Sequence, residues 1–109
     1  MKEINNINDY LEIIKGNKPV LLDFYADWCG PCQTLLPIVE RLALKHESDF
    51  VIAKVNVDKN RELSQKFLIR SIPALFFIQN GDVKERLNGL RTEKELDHKI
   101  HGYLAITNY

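Results

Sequence analysis

Apolar residues recur along this chain with the spacing of a strand in some segments and the spacing of a helix in others, and this pattern predicts the secondary structure. Between Val20 and Tyr25 a mostly apolar run is broken only by Asp23, which is typical of a parallel strand buried on both faces. Helical spacing follows from about Pro31 to His46, and then alternating residues predict a second strand from Phe50 to Val57. A strand, helix, strand order of this kind favours a parallel sheet covered by helices.

The second half of the chain has a different pattern. Two strand-like runs, Ala74 to Gln79 and Asp82 to Asn88, flank Asn80-Gly81, a dipeptide that favours a tight hairpin turn. The hairpin adds two antiparallel strands to the sheet. Thr92 with Glu95 three residues later forms a capping box, which predicts the start of a last helix.

The N-terminal segment predicts a short amphipathic helix. Asn8 and Asp9 are the candidate N-cap residues, and Gly16 can end the helix. The residues before it, Lys2 to Asn6, are too few to assign from their pattern alone. No repeat, low-complexity tract or linker interrupts the sequence, so we expect one domain over residues 1–109.

The charge of the chain is balanced, with 15 basic and 15 acidic residues among 109. This balance removes any general electrostatic reason for nucleic acid or an anionic membrane to be a partner. No apolar run approaches the length of a membrane span, and no apolar signal region follows Lys2. No glycine-rich phosphate loop is present, so a bound nucleotide is not expected. We expect a soluble, unprocessed cytoplasmic protein.

The chain has two cysteines, Cys29 and Cys32, at the junction between a predicted strand and a predicted helix. Unpaired N–H groups at a helix N-terminus stabilise an anion, so we expect a lowered thiol pKa for Cys29. The spacing lets Cys32 reach back and close a small ring. Such a pair in an intracellular protein is more often catalytic or metal-binding than structural. Structural zinc needs about four ligands, which a single cysteine pair does not supply.

The segment around the cysteines resembles the active-site strand and helix of the thioredoxin family. The resemblance rests on Trp28-Cys29-Gly30-Pro31-Cys32, on Asp23 six residues before the first cysteine, and on Pro37 five residues after the second. It extends over nearly the whole chain. It implies an α/β thioredoxin fold with a central mixed sheet of four to five strands, flanked by helices on both faces, and an edge strand near the N-terminus.

The same resemblance implies a protein-disulfide reductase that needs no bound cofactor. Cys29 would attack a substrate disulfide as a thiolate, and Cys32 would resolve the mixed disulfide. The implied partners are disulfide-containing proteins and a thioredoxin reductase fed by NADPH through a flavin, and the implied state is a monomer. Two alternatives stay open: a thiol oxidase or disulfide isomerase, and a binding module whose interface is switched by its redox state.

Asp23 and Lys54 are the charged residues expected near the cysteines. An acid inside an apolar strand is expensive to bury while ionised, so burial should raise the pKa of Asp23. The resemblance makes Asp23 the base that takes a proton from Cys32 through a water, with Lys54 as its companion. The alternatives are an outward-pointing acid for Asp23 and a solvated strand position for Lys54.

The resemblance also implies a docking face for substrates. It implies that the Ile72-Pro73 bond is cis, that the backbone of Ile72 is free to pair with an extended substrate, and that Pro73 shapes the groove. The plain alternatives are a strand-initiating proline, core packing for the tryptophan and an ordinary turn for the glycine. The substrate-binding residues implied are Trp28, Gly30, Pro31, Ile72, Pro73 and Gly89.

Four positions depart from the family pattern: Tyr25, Gln33, Ser71 and Ala74. None removes a thiol or the supporting acid. Gln33 stands where a lysine is frequent, so one positive charge near Cys29 is absent and the thiol is expected to be less acidic than in members that keep it. Substrate and reductase preference are the properties that these differences affect.

The histidines give no metal site in the sequence. His98 and His101 lie three apart on the predicted last helix, but no carboxylate or thiol cluster joins them in the pattern. His46, at the end of the long helix, is expected to interact with the helix dipole rather than to act as a catalyst.

Overall fold

The computed structural model describes residues 1–107, so the last two residues of the predicted domain lie outside the described residues. Its elements in chain order are β1 (Lys2–Ile4), α1 (Ile7–Lys15), β2 (Val20–Tyr25), α2 (Gly30–Lys45), β3 (Val51–Asn56), α3 (Arg61–Lys66), β4 (Ala74–Gln79), β5 (Asp82–Asn88) and α4 (Glu93–Thr107). No helix within residues 1–107 is long and apolar enough to span a bilayer.

The five strands form one mixed sheet in the order β1-β3-β2-β4-β5. Strands β1, β3 and β2 are parallel, whereas β4 and β5 run antiparallel to their neighbours. The predicted mixed sheet is therefore confirmed, and the N-terminal edge strand is present. Strand β2 lies at the centre, where Asp23 is opposite Lys54 of β3 and Leu75 of β4.

Helices cover both faces of the sheet, as predicted. Successive strand residues point to opposite faces, so Leu21 packs with α2 and α4, while Leu22 and Phe24 pack with α1 and α3. The first apolar core includes Leu35, Val39, Leu42, Phe77, Leu96 and Ile100. The second includes Ile4, Tyr10, Leu63, Phe67, Phe76 and Ile78. Burial on both faces explains why β2 is apolar throughout except for one acid.

The predicted hairpin turn is confirmed, and one half of the predicted capping box is observed. Asn80 and Gly81 join β4 to β5 with φ angles of 55° and 80°, the left-handed conformation that such a tight turn requires. The hydroxyl of Thr92 accepts a hydrogen bond from the N–H of Glu95 at 3.1 Å. The Glu95 carboxylate pairs with Arg91 at 3.0 Å.

The prediction that Asn8 or Asp9 caps the first helix is wrong. The N-cap is Asn6, whose side-chain oxygen accepts from the N–H of Asp9 at 2.9 Å. Asp9 in turn accepts from the N–H of Asn5 at 2.9 Å. The acid is the third residue of the helix and its carboxylate reaches back beyond the cap, so the helix starts earlier than the pattern suggested.

Candidate active site

The two cysteines lie at the N-terminus of α2, where the sequence placed them. Cys29 is the N-cap residue, and its sulfur accepts a hydrogen bond from the N–H of Cys32 at 3.3 Å. The two residues form a disulfide, with their Cα atoms 5.3 Å apart. The sulfur of Cys29 therefore occupies the position of a capping anion, and Gly30 and Pro31 form the first turn between the cysteines.

The sheet positions this helix end. Strands β2 and β3 are parallel, so their carboxyl ends meet at one edge, where the N–H of Val57 donates to the carbonyl of Tyr25 at 2.9 Å. Ligand sites of open α/β sheets lie beyond such strand ends. Tyr25 and Ala26 pack against Cys29 and Cys32 in one buried cluster, so the disulfide rests directly on the end of the central strand.

Asp23 is fully buried, as predicted, and the alternative of an outward-pointing acid is wrong. Burial raises the pKa of its carboxyl to about 7, against a smaller lowering by the charge of Lys54. Among the described residues neither carboxylate oxygen has a hydrogen-bond partner. Lys54 is half-buried, with its ammonium 5.5 Å from the ring centre of Tyr25. Lys54 lies opposite Asp23 on the adjacent parallel strand.

The Ile72-Pro73 peptide bond is cis, as the resemblance implied. The carbonyl oxygen of Ile72 lies 3.8 Å from the sulfur of Cys29. Pro73 is buried, and its carbonyl accepts from the N–H of Gly89 at 2.8 Å. Gly89 has a φ of 86°, a left-handed conformation that favours glycine. These contacts bring the segments before β4 and after β5 to the cysteine pair.

Trp28 is 72% exposed, so the alternative that it packs into the core is wrong. Its indole N–H donates to the carboxylate of Asp58 at 2.8 Å, which ties the ring to the segment that follows β3. A groove of about 210 Å³ runs from Trp28 to Ile72. Ser71, one of the four positions that depart from the family pattern, also lines the groove. The other lining residues, which no sequence pattern indicated, are Val57, Ser64, Ile69 and Arg70.

Gln33 lies on the exposed side of the first turn of α2. Its side-chain amide donates weakly to the carbonyls of Ala26 and Asp27, at 3.4 and 3.5 Å. The amide thus contacts the loop that carries the first cysteine.

Comparison with known proteins agrees with this geometry. The family model for thioredoxin matches residues 2–102. The chain belongs to the thioredoxin family. A thioredoxin from Chlorobaculum thiosulfatiphilum is 38% identical over 103 residues, which cover 94% of this chain and 95% of that protein. A thioredoxin structure from Fasciola hepatica superimposes with a TM-score of 0.85 at 32% identity, covering 93% of this chain and 97% of that one.

A third relative carries the family domain within a larger protein. The bifunctional thioredoxin reductase/thioredoxin of Mycobacterium leprae is 34% identical over 94 residues, which are 86% of this chain and 20% of that protein. Membership in the thioredoxin family and the Cys29–Cys32 disulfide identify the function. The protein is a dithiol–disulfide oxidoreductase with protein-disulfide reductase activity.

Proposed function

We propose that Cys29 is the attacking thiolate and Cys32 the resolving thiol of this disulfide reductase. The observation that carries the proposal is the hydrogen bond from the N–H of Cys32 to the sulfur of Cys29 at the helix N-cap. A helix N–H aimed at that sulfur stabilises its anion, and the thiolate is the form that attacks disulfides.

The reaction has two exchange steps. The Cys29 thiolate attacks one sulfur of the substrate disulfide, which breaks the substrate S–S bond, forms a mixed disulfide and releases one substrate thiolate. The Cys32 thiolate then attacks the sulfur of Cys29, closes the Cys29–Cys32 disulfide and releases the second substrate thiolate. Two electrons pass from the dithiol to the substrate.

Asp23 is the proposed base for the second step. Its pKa of about 7 means that near neutral pH it exchanges a proton readily, whereas an ordinary aspartate would stay ionised. It would take the proton of Cys32 through a bridging water and pass it to solvent. Lys54, opposite Asp23 in the sheet, favours the ionised carboxylate and so tunes this base.

The proposed docking face consists of Trp28, Ile72 and Gly89, with Gly30 and Pro31 in the turn and Pro73 behind them. The exposed indole, the groove beside it and the Ile72 carbonyl near the Cys29 sulfur support this assignment. An extended substrate segment would lie along Ile72 with its disulfide over Cys29. The apolar character of the face lets unrelated disulfide-bearing proteins bind.

Serine substitutions test the roles of the two thiols. Cys29→Ser should abolish disulfide exchange, while Cys32→Ser should accumulate mixed disulfides with substrate proteins, detected by non-reducing electrophoresis and mass spectrometry. Each variant is the matched control of the other, since both remove one thiol from the same turn. Trapping by Cys29→Ser but not by Cys32→Ser would reverse the assignment.

Alanine substitutions test the docking face. Trp28→Ala should raise KM for a protein disulfide and leave the reduction of a small aromatic disulfide nearly unchanged. Leu44→Ala is the matched control, because Leu44 is also exposed, at 70%, but lies on the last turns of α2. An equal rise in KM for both variants would contradict a docking role for Trp28.

We further propose that a thioredoxin reductase regenerates the dithiol and that the protein serves electron transport and redox homeostasis. We also propose that it is a cytoplasmic monomer with one domain over residues 1–109. The fused reductase and thioredoxin of Mycobacterium leprae supports such a pairing. Electron transfer from NADPH through a purified flavin reductase to this chain tests it. Light scattering tests the monomer, and cell fractionation tests the compartment.

A further inference from the structure

A cluster of metal-binding side chain types lies at the far end of α2 from the active site. His46 follows the last residue of α2, and Asp97 and His101 project from α4 beside it. Helix α2 has 16 residues, so this cluster and the cysteine pair are separated by roughly 24 Å along the helix axis. The redox chemistry described above uses none of the three residues.

The ligand atoms of the cluster converge. The Nε2 atom of His46 lies 2.7 Å from Oδ1 of Asp97, and the Nε2 atom of His101 lies 3.4 Å from Oδ2 of the same carboxylate. All three ligand atoms lie within 4.8 Å of one another. Two ligands at tetrahedral zinc are about 3.3 Å apart, given Zn–N and Zn–O bonds of about 2.0–2.1 Å. Changes of up to about 1.5 Å in these separations would therefore bring the atoms to bonding positions around one ion.

The elements that carry the ligands favour a fixed site. Asp97 and His101 are four residues apart on one helix, a spacing that places two ligands on the same face. His46 is buried, with 6% of its side chain exposed, whereas His101 is 60% exposed. The cluster therefore has one ligand anchored in the core and one at the surface, which leaves a path for an ion and room for water.

We propose that His46, Asp97 and His101 bind one divalent transition-metal ion, with Zn²⁺ as the reference ion and water completing the shell. Imidazole ligands select zinc, copper or nickel over magnesium and calcium, which prefer shells of oxygen atoms. The ion would tie the C-terminal end of α2 to α4. His98, the histidine that lies next to His101 in the sequence pattern, is exposed and outside the cluster, so the pattern alone indicated no metal site.

Lys45 gives the proposal a distinctive consequence. Its ammonium lies 3.0 Å from Oδ2 of Asp97, so a cation already pairs with the carboxylate that a metal ion would need. The Lys45 side chain is 56% exposed and can turn into solvent when the ion enters. Lys45 is thus a competitor for Asp97, and its removal should strengthen metal binding. A purely structural role for the cluster predicts no such gain.

Calorimetric titration of the tag-free full chain with ZnCl₂ tests the site. The protein is kept oxidised, because free Cys29 and Cys32 thiolates would bind zinc themselves. We expect one saturable site per chain. His101→Gln should weaken it at least about tenfold, since even the loss of a supporting partner outside the ligand shell costs that much. His98→Gln is the matched control and should leave the affinity unchanged.

Two further measurements complete the test: the zinc affinity of a Lys45 variant and the visible spectrum with Co²⁺. Lys45→Gln should bind zinc more tightly than the parent chain, and Co²⁺ in place of Zn²⁺ should give the intense visible bands of a tetrahedral ion, lost in His101→Gln. The proposal is overturned by an absence of saturable binding, by equal weakening in His98→Gln and His101→Gln, or by weaker binding in Lys45→Gln.

Discussion

Replacement of Asp23 by asparagine should change the stability of the oxidised protein by an amount that depends on pH, increasingly in favour of the variant as pH rises. The carboxyl is fully buried in the central strand, and among residues 1–107 neither of its oxygens has a hydrogen-bond partner. An ionised carboxylate in that setting loses its hydration without a compensating hydrogen bond, and the charge of Lys54 offsets only part of the cost. Asparagine has nearly the same shape and cannot ionise, so the substitution removes the charge and keeps the packing.

The magnitude follows from the pKa of Asp23. Burial raises it from 3.8 to about 7. The unfolded chain therefore releases this proton near pH 4, and the folded chain holds it until near pH 7, so the folded state binds more protons between these values. Stability then falls as pH rises through that window and is level above it. A shift of about three units corresponds to a loss of ~4 kcal/mol in the free energy of unfolding.

The assay is urea unfolding of oxidised parent and Asp23→Asn proteins at constant ionic strength, followed by circular dichroism. The free-energy difference between them should grow by ~4 kcal/mol from about pH 4 to about pH 8. Any fixed cost of burying the amide does not change with pH and cancels. Asp27→Asn, which removes an exposed acid nearby, is the control for the change in net charge alone. A constant difference for Asp23→Asn across this range would refute the reasoning.

Three further substitutions have expected outcomes. Gln33→Lys should lower the pH at which the attacking thiol ionises by a fraction of a pH unit, because it adds a positive charge nearby. Thiolate absorbance measures the ionisation, and high salt should reduce the effect. Gly89→Ala should destabilise the folded protein by about 1–2 kcal/mol, because the φ of Gly89 is 86°. Gly102→Ala in α4 should stabilise it by about 0.5–1 kcal/mol. Chemical denaturation measures both changes, and the reverse order would contradict the backbone argument. Leu35→Ala should cost about 2–5 kcal/mol and Leu44→Ala less than about 0.5 kcal/mol, since only the first side chain is buried; similar losses in thermal or urea melts would count against the core assignment.

Much of the fold follows from periodicity and turn chemistry. The apolar run of β2, interrupted only by Asp23, indicated a strand buried on both faces, and the two cores on either side of it confirm this. The Asn80-Gly81 turn is recognisable because few dipeptides accept two left-handed residues. The cap of α1 was placed too late, at Asn8 or Asp9, because Asn6 belongs to the same class of good capping residues and only the structure shows which side chain accepts from the helix.

The candidate site could be predicted only where its residues are close in sequence. Cys29 and Cys32 share one turn, so their chemistry was evident from spacing. Val57, Ile69 and Arg70 reach the groove through the fold, and their local patterns carry no sign of it. The Val57 position could have been found from the rule that parallel strand ends meet at a ligand site.

The metal-binding cluster was missed for the same reason. His46 is far in sequence from Asp97 and His101, so only the packing of α2 against α4 brings it to them. The spacing of four between Asp97 and His101 was the one local signal, and it went unused because the nearer His98 was paired with His101 instead.

The reduction potential of the Cys29/Cys32 pair tests the central claim most directly. The chain is equilibrated with glutathione or dithiothreitol buffers and followed by the fluorescence of Trp28, its sole tryptophan. About 30 mV corresponds to a tenfold change in the equilibrium constant of this two-electron couple. A value more negative than that of the glutathione couple is predicted, since the protein then donates electrons to disulfides. A more positive value would contradict the reductase function and favour an oxidase or isomerase.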